Sequence, residues 1–148
     1  MVTQPTADRF STTLRLPRSA RSVGRARAAF RADAASWSLP AEDGDTATLL
    51  LSELLTNACR HARVPRDRYV EARWTLDRSG GLLRVEVSDA DRRPPKPRRA
   101  GPDDESGRGL ELLALLAGGW GVDPRPGGIG KTVWFELKLP DGRGVESP

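Results

Sequence analysis

The run Ser52-Glu53-Leu54-Leu55-Thr56-Asn57-Ala58-Cys59-Arg60-His61-Ala62 constrains this chain more than any other segment. Leu51, Leu54, Leu55, Ala58 and Ala62 follow the i, i+3, i+4, i+7 spacing of a helix face turned toward a core. Glu53, Asn57 and His61 recur every fourth residue, so they share a second stripe of the same helix. One stripe anchors the helix, and the other carries a carboxylate and a carboxamide one turn apart. That pair suits a hard cation and a proton transfer, the two needs of phosphoryl chemistry. A solvated polar face accounts for the same residues, and the segments downstream decide between the two readings.

The chain has 148 residues, enough for one domain with a single core. Its net charge is +4, and arginine supplies nearly all the positive charge, Lys96, Lys131 and Lys138 being the lysines. Arginine concentrates between Arg9 and Arg31 and again between Arg92 and Arg99. The first cluster lies on a predicted helix and reads as a solvated face; without interleaved aromatics, direct nucleic-acid binding is not expected. Cys59 is the single cysteine, so an intramolecular disulfide is excluded, and with no paired base it reads as a packing group. No apolar run approaches the roughly 18 residues of a membrane span, and the N-terminus lacks the apolar segment of a secretory signal. A cytoplasmic protein with no membrane contact is the expectation.

Along the chain, Thr12 to Leu16 alternates as a short strand ended by Pro17. Helical spacing runs from Ser19, a candidate cap, to Trp37, and the acids Glu42, Asp43 and Asp45 then mark the start of the second helix, which should end near Arg63. Residues 69–76 and 82–87 alternate with period two around Ser79-Gly80-Gly81, the pattern of an antiparallel hairpin. Residues 89–108 are rich in proline and charge and read as a mobile loop. A helical segment at 110–116, a short strand near 120–122 and a strand over 132–139 complete the order. The fold class that follows is α+β: a two-layer sandwich of a mostly antiparallel sheet with helices on one face. A domain over residues 11–140 is flanked by flexible ends, 1–10 and 141–148.

Three later segments carry polar chemistry. Val85-Glu86-Val87-Ser88-Asp89 delivers a carboxylate at the end of an apolar strand, where it could be a turn residue or could accept a hydrogen bond from a ligand amino group. Gly107-Arg108-Gly109 precedes a helix, where backbone amides and the helix dipole attract phosphate; a hinge is the alternative. Gly128-Ile129-Gly130-Lys131-Thr132 evokes a P-loop. However, Arg125 replaces the required first glycine and an alternating strand follows, so a P-loop is rejected in favour of a turn entering a core strand.

Taken in order, Glu53 with Asn57, Val87-Ser88-Asp89, Gly107-Arg108-Gly109 and Gly130-Lys131-Thr132 resemble the boxes of the histidine-kinase-like ATPase superfamily, over roughly residues 12–139. Within it the chain looks most like the actinobacterial anti-sigma-factor serine/threonine kinases. The resemblance implies a Bergerat-type ATP-binding fold with ATP and Mg²⁺ as cofactors. It makes Asn57 the Mg²⁺ ligand and Glu53 the general base. Asp89 would bind the adenine amino group with support from Thr132. Gly107, Arg108 and Gly109 would lie at the phosphates, beneath a lid of about residues 90–108 bearing Arg98 and Arg99. His61 and Arg60 would face phosphate or simply solvent. The implied partners are a sigma factor and an anti-anti-sigma protein, and a homodimer is an expected assembly. One residue departs from the pattern: Asp91 stands where the family's Asp-x-Gly has glycine, and a side chain there crowds the adenine. Two functions therefore stay open: a kinase that phosphorylates its anti-anti-sigma partner and sequesters a sigma factor, or a non-catalytic regulator with a degenerate ATP site.

Overall fold

The computed structural model describes residues 8–61, 69–89, 111, 113, 115–125 and 130–140. The elements run β1 (Arg9–Pro17), α1 (Ala20–Ser36), α2 (Ala41–His61), β2 (Tyr69–Asp77), β3 (Leu82–Asp89), β4 (Gly119–Pro124) and β5 (Lys131–Lys138). Residues 111, 113, 115 and 116 are helical, within the segment expected to be a helix. All neighbouring strands are antiparallel, in the order β1-β2-β3-β5-β4. This is the α+β layering expected, with the two helices packed on one face of an open sheet.

Helix α2 forms where its sequence periodicity predicts. Ala47, Leu50, Leu51, Leu54, Leu55 and Ala58 are buried, while Glu42 and Asp43 sit in the first turn, where the helix dipole favours acids. The hydroxyls of Thr48 and Ser52 donate back to the carbonyls of Gly44 and Thr48, each at 2.7 Å, which satisfies them inside the helix. Ser19 occupies the N-cap of α1 in extended conformation, but its side chain makes no capping hydrogen bond. Ser22 instead donates to the carbonyl of Pro17, tying the first turn of α1 to the end of β1. At the other end, Ser38 adopts a left-handed φ of 56°. The N–H of Leu39 then reaches back to Ala34 O at 3.0 Å, the geometry that ends a helix and turns the chain.

Strand β1 begins at Arg9, three residues before the alternation becomes legible. It is an edge strand that alternates throughout: Phe10, Thr12, Leu14 and Leu16 turn toward the core, while Arg9, Ser11, Thr13 and Arg15 are exposed. Phe10 secures its start, packing against Trp37 at 6.0 Å with the Arg78 guanidinium over its ring at 5.5 Å.

The core lies between the helices and the inner side of the sheet. Ala26 and Phe30 of α1 and the apolar stripe of α2 meet Val70, Ala72, Trp74 and Leu76 of β2, Leu83, Val85 and Val87 of β3, and Phe135 and Leu137 of β5. On the other face of the sheet, Arg84 bridges Glu136 at 3.0 Å and Glu86 at 3.7 Å, with its guanidinium 4.3 Å from the centroid of the Trp134 ring. Trp134 also donates through its indole N–H to Asp123 at 3.1 Å. A Cβ at Gly121 would stand 2.7 Å from that ring. Because Arg84 and Asp123 pin the indole, Gly121→Ala should destabilise the fold by about 1–3 kcal/mol, as overpacking does. A parental melting temperature would instead show that the ring swings aside freely.

Candidate functional site

The polar stripe of α2 stands beside the buried stripe, as the sequence spacing requires. Glu53 and Asn57 are both half-buried, one turn apart, on a helix whose opposite flank is locked into the core. The helix fixes their backbones, so their separation is set by its pitch rather than by a loop. The side chains of Arg60 and His61 lie outside the described residues.

Asp89 ends β3 and is one of three buried polar or charged residues among the described residues, with Ser22 and Thr48. Strand alternation explains its orientation. Leu83, Val85, Val87 and Asp89 all point inward, so the carboxylate emerges on the helix side where the apolar run stops. It lies close to the end of α2: Cys59 senses its charge. Burial pushes the Cys59 thiol up; the Arg18 guanidinium and a hydrogen bond with the Ser19 backbone pull it down, and Asp89 adds to the rise. A thiol held in its protonated form at neutral pH is a packing group, in line with the sequence reading. One guanidinium nitrogen of Arg18 is buried without a hydrogen-bond partner in the same neighbourhood.

The register of β3 with β5 decides what stands next to Asp89. Ser88 pairs with Thr132 and Asp89 with Lys131. The Ser88 and Thr132 hydroxyls bond each other at 2.7 Å on the face away from the helices. Lys131 reaches Asp89 with Nζ 3.4 Å from Oδ2, and the two side chains are only 15% and 5% exposed. The carboxylate's cross-strand neighbour is therefore Lys131, while Thr132 contacts Ser88. From the sequence alone, Gly130-Lys131-Thr132 reads as a turn into a core strand, and Lys131 does not stand out as a site residue. The signal that finds it is parity: in β5, Lys131 shares a face with Phe135 and Leu137, the inward side chains.

The structure thus pairs Asp89 with Lys131 at the ends of β3 and β5, near Cys59 of α2, while Glu53 and Asn57 lie half-buried on that same helix. Gly107, Arg108, Gly109, Asp91, Arg98, Arg99 and the lid at about 90–108 lie outside the described residues. Among the described residues, no cluster of three His, Cys, Asp or Glu side chains gathers to hold a metal. Nor is any helix of the described residues long and apolar enough to cross a membrane.

Comparison with solved structures agrees with this architecture. The RsbU and RsbW domains of Rv1364c from Mycobacterium tuberculosis superpose with a TM-score of 0.66 at 19% identity, over 88% of this chain and 32% of that one. The blue-light activated histidine kinase of Erythrobacter litoralis gives 0.52 at 30% identity, over 72% of this chain and 33% of that one. Its isolated histidine kinase domain gives 0.52 at 27% identity, over 80% and 60%. The chain thus spans about a third of the length of the first two. A search of curated proteins finds no match. The model of the histidine kinase-like ATPase domain matches residues 16–136, from the end of β1 into β5, and the chain belongs to that family.

Proposed function

We propose that the chain is an ATP-dependent anti-sigma-factor serine/threonine kinase, which phosphorylates an anti-anti-sigma partner and sequesters a sigma factor. The observation that carries this reading is Glu53 and Asn57 one turn apart on α2, with the Asp89 carboxylate buried on the helix side at the end of β3. The family membership and the RsbW domain of the Mycobacterium tuberculosis neighbour support it. In this reading the domain is the 11–140 segment, acting in the cytoplasm, and a homodimer is its working assembly.

The chemistry follows from the residue types. Asp89 accepts a hydrogen bond from the adenine amino group. Asn57 offers one neutral oxygen to Mg²⁺, which characteristically takes its remaining ligands from phosphates and water rather than from a protein cage. Glu53 accepts the proton of the attacking serine or threonine hydroxyl. Gly107, Arg108 and Gly109 approach the phosphates through backbone amides and a guanidinium. Thr132 supports the site from the outer side of β5, through Ser88. Phosphoryl transfer asks mainly for positioning and charge neutralisation, which these groups supply.

Calorimetry with ATP and ADP, with and without Mg²⁺, tests the site. The parent should bind both nucleotides, with ATP binding strengthened by Mg²⁺. Asn57→Ala should lose that dependence, and Asp89→Ala should weaken adenine nucleotides by about tenfold or more, the effect of deleting a specific base contact. The ion pair between Asp89 and Lys131 favours a second reading, a non-catalytic regulator in which the lysine holds the carboxylate. No binding heat at millimolar nucleotide would establish that alternative.

A further inference from the structure

We propose that the free edge of β4 is a self-pairing surface, on which a second copy of this chain adds its own β4 in antiparallel orientation. The inference rests on the homodimer of the reading above and gives it an interface; it borrows nothing from the nucleotide chemistry.

Backbone parity decides which groups that edge offers. In an antiparallel ladder, residues bonded to one neighbour alternate with residues that turn their N–H and C=O the other way. Leu139 N–H donates to Gly81 O at 2.8 Å, so the odd residues of β5 serve β3 and the even ones serve β4. Arg125 N–H donates to Gly130 O at 3.1 Å, in the same register that pairs Gly121 with Trp134 and Asp123 with Thr132. Trp120 and Val122 therefore aim both backbone groups outward, and among the described residues no strand lies beyond β4. Pro124 has no N–H to add, which ends the ladder there.

The two edges of the sheet are defended differently. β1 carries Arg9 and Arg15 at exposed positions, the charged guard that keeps an edge from pairing. The one charged residue of β4 is Asp123, whose carboxylate already accepts the Trp134 indole N–H at 3.1 Å. Leu115 is 79% exposed, Leu116 43% and Trp120 39%, so apolar surface gathers on β4 and on the helical residues just before it. Apolar surface beside an unguarded edge is the signature of an association site.

A second copy fits this edge by symmetry. A two-fold axis centred on Gly121 sets Trp120 opposite the partner's Val122, and Val122 opposite the partner's Trp120. Both are hydrogen-bonded pairs, so each exchanges both of its N–H···O bonds. The side chains lie on the helix side, because Trp120 stands opposite the inward Phe135 and Val122 opposite Val133. An aromatic ring then packs on a β-branched side chain across each pair, a favourable cross-strand combination. On the outer face the axis passes between two glycines, and Gly119 stands opposite the partner's Asp123, so no like charges meet.

Sedimentation equilibrium of the full chain tests the interface, with circular dichroism melts on the same samples. The parent should sediment at twice the 16.1 kDa of one chain. Trp120→Lys replaces an exposed ring, and Val122→Pro deletes an N–H that β5 does not use, so both should still melt cooperatively. Each change acts twice across the axis, and at about tenfold per contact the dimer dissociation constant should rise by about a hundredfold. If the proline variant fails to melt cooperatively, Trp120→Lys decides alone. Thr13→Pro makes the same change at the β1 edge, where Arg78 N–H bonded to Asp8 O leaves the odd residues facing outward; it should keep the dimer. A dimer that survives both β4 variants, or that only Thr13→Pro dissolves, overturns the proposal and leaves the homodimer standing. A parent that sediments as a single chain even when concentrated overturns this interface and the homodimer together, without touching nucleotide binding.

Discussion

Trp74→Ala should cost about 3–5 kcal/mol of folding stability, the range for deleting a large buried aromatic. Trp74 lies in β2 with no exposed surface, its ring edge-on to Phe30 of α1 with centroids 5.4 Å apart. Its indole N–H donates to Asp33 Oδ2 at 2.7 Å, and Thr12 of β1 donates to the same oxygen, also at 2.7 Å. One carboxylate thus ties α1 to two strands, and truncation removes both a ring and one leg of that tie. Against a total stability of about 5–15 kcal/mol, the loss consumes much of the margin. Trp74→Phe separates the two contributions, because it keeps most of the volume and deletes only the N–H. It should cost about 1.5–3 kcal/mol, the net worth of one hydrogen bond to a charged acceptor, here a half-buried carboxylate that keeps its bond from Thr12. Urea unfolding followed by circular dichroism measures both. A methodical check is the order: if Phe destabilises as much as Ala, the hydrogen bond and not the packing holds α1 on the sheet.

How far the sequence anticipated this arrangement depends on what each element uses to declare itself. Helix α2 was fully legible, because six buried residues at helical spacing leave no other structure that hides them all. The β2–β3 hairpin was legible for the same reason at period two, and Gly81, with φ of 62°, supplies the turn conformation that its sequence signals. β1 was legible only from Thr12, since Thr12 takes the inward position between Phe10 and Leu14 and leaves a single apolar residue to mark the strand's start. Phe10, its anchor, gains meaning only from Trp37 and Arg78, which are distant in sequence. The candidate site divides likewise. Glu53 and Asn57 are one turn apart whatever the rest of the chain does. The neighbour of Asp89 depends on how β3 and β5 align, and a slip of one residue exchanges every inward side chain for an outward one. Nothing local to Gly130-Lys131-Thr132 reveals that alignment. Ser19 shows the opposite limit: its residue type and position fit a cap, yet Ser22 makes the bond that joins α1 to Pro17.

In the proposed kinase, Glu53→Gln should slow phosphoryl transfer by about 10²–10⁴-fold, the usual contribution of a positioned general base. The amide preserves the shape and hydrogen-bonding reach of the side chain but cannot take up the hydroxyl proton. Glu53 is half-buried on the flank of α2, away from the apolar stripe, so the substitution should leave the melting temperature close to that of the parent. Nucleotide affinity should also survive, because Asp89 and Asn57 make the contacts assigned to adenine and magnesium. The measurement is transfer of labelled γ-phosphate from Mg-ATP to the partner, alongside ADP calorimetry on the same preparation. A rate equal to that of the parent would remove Glu53 from the chemistry and leave positioning alone as its service. Loss of ADP binding together with transfer would place the residue in the nucleotide pocket instead. The split between rate and affinity therefore carries the argument: a base acts only when the hydroxyl attacks, whereas a binding group acts whether or not a second substrate is present.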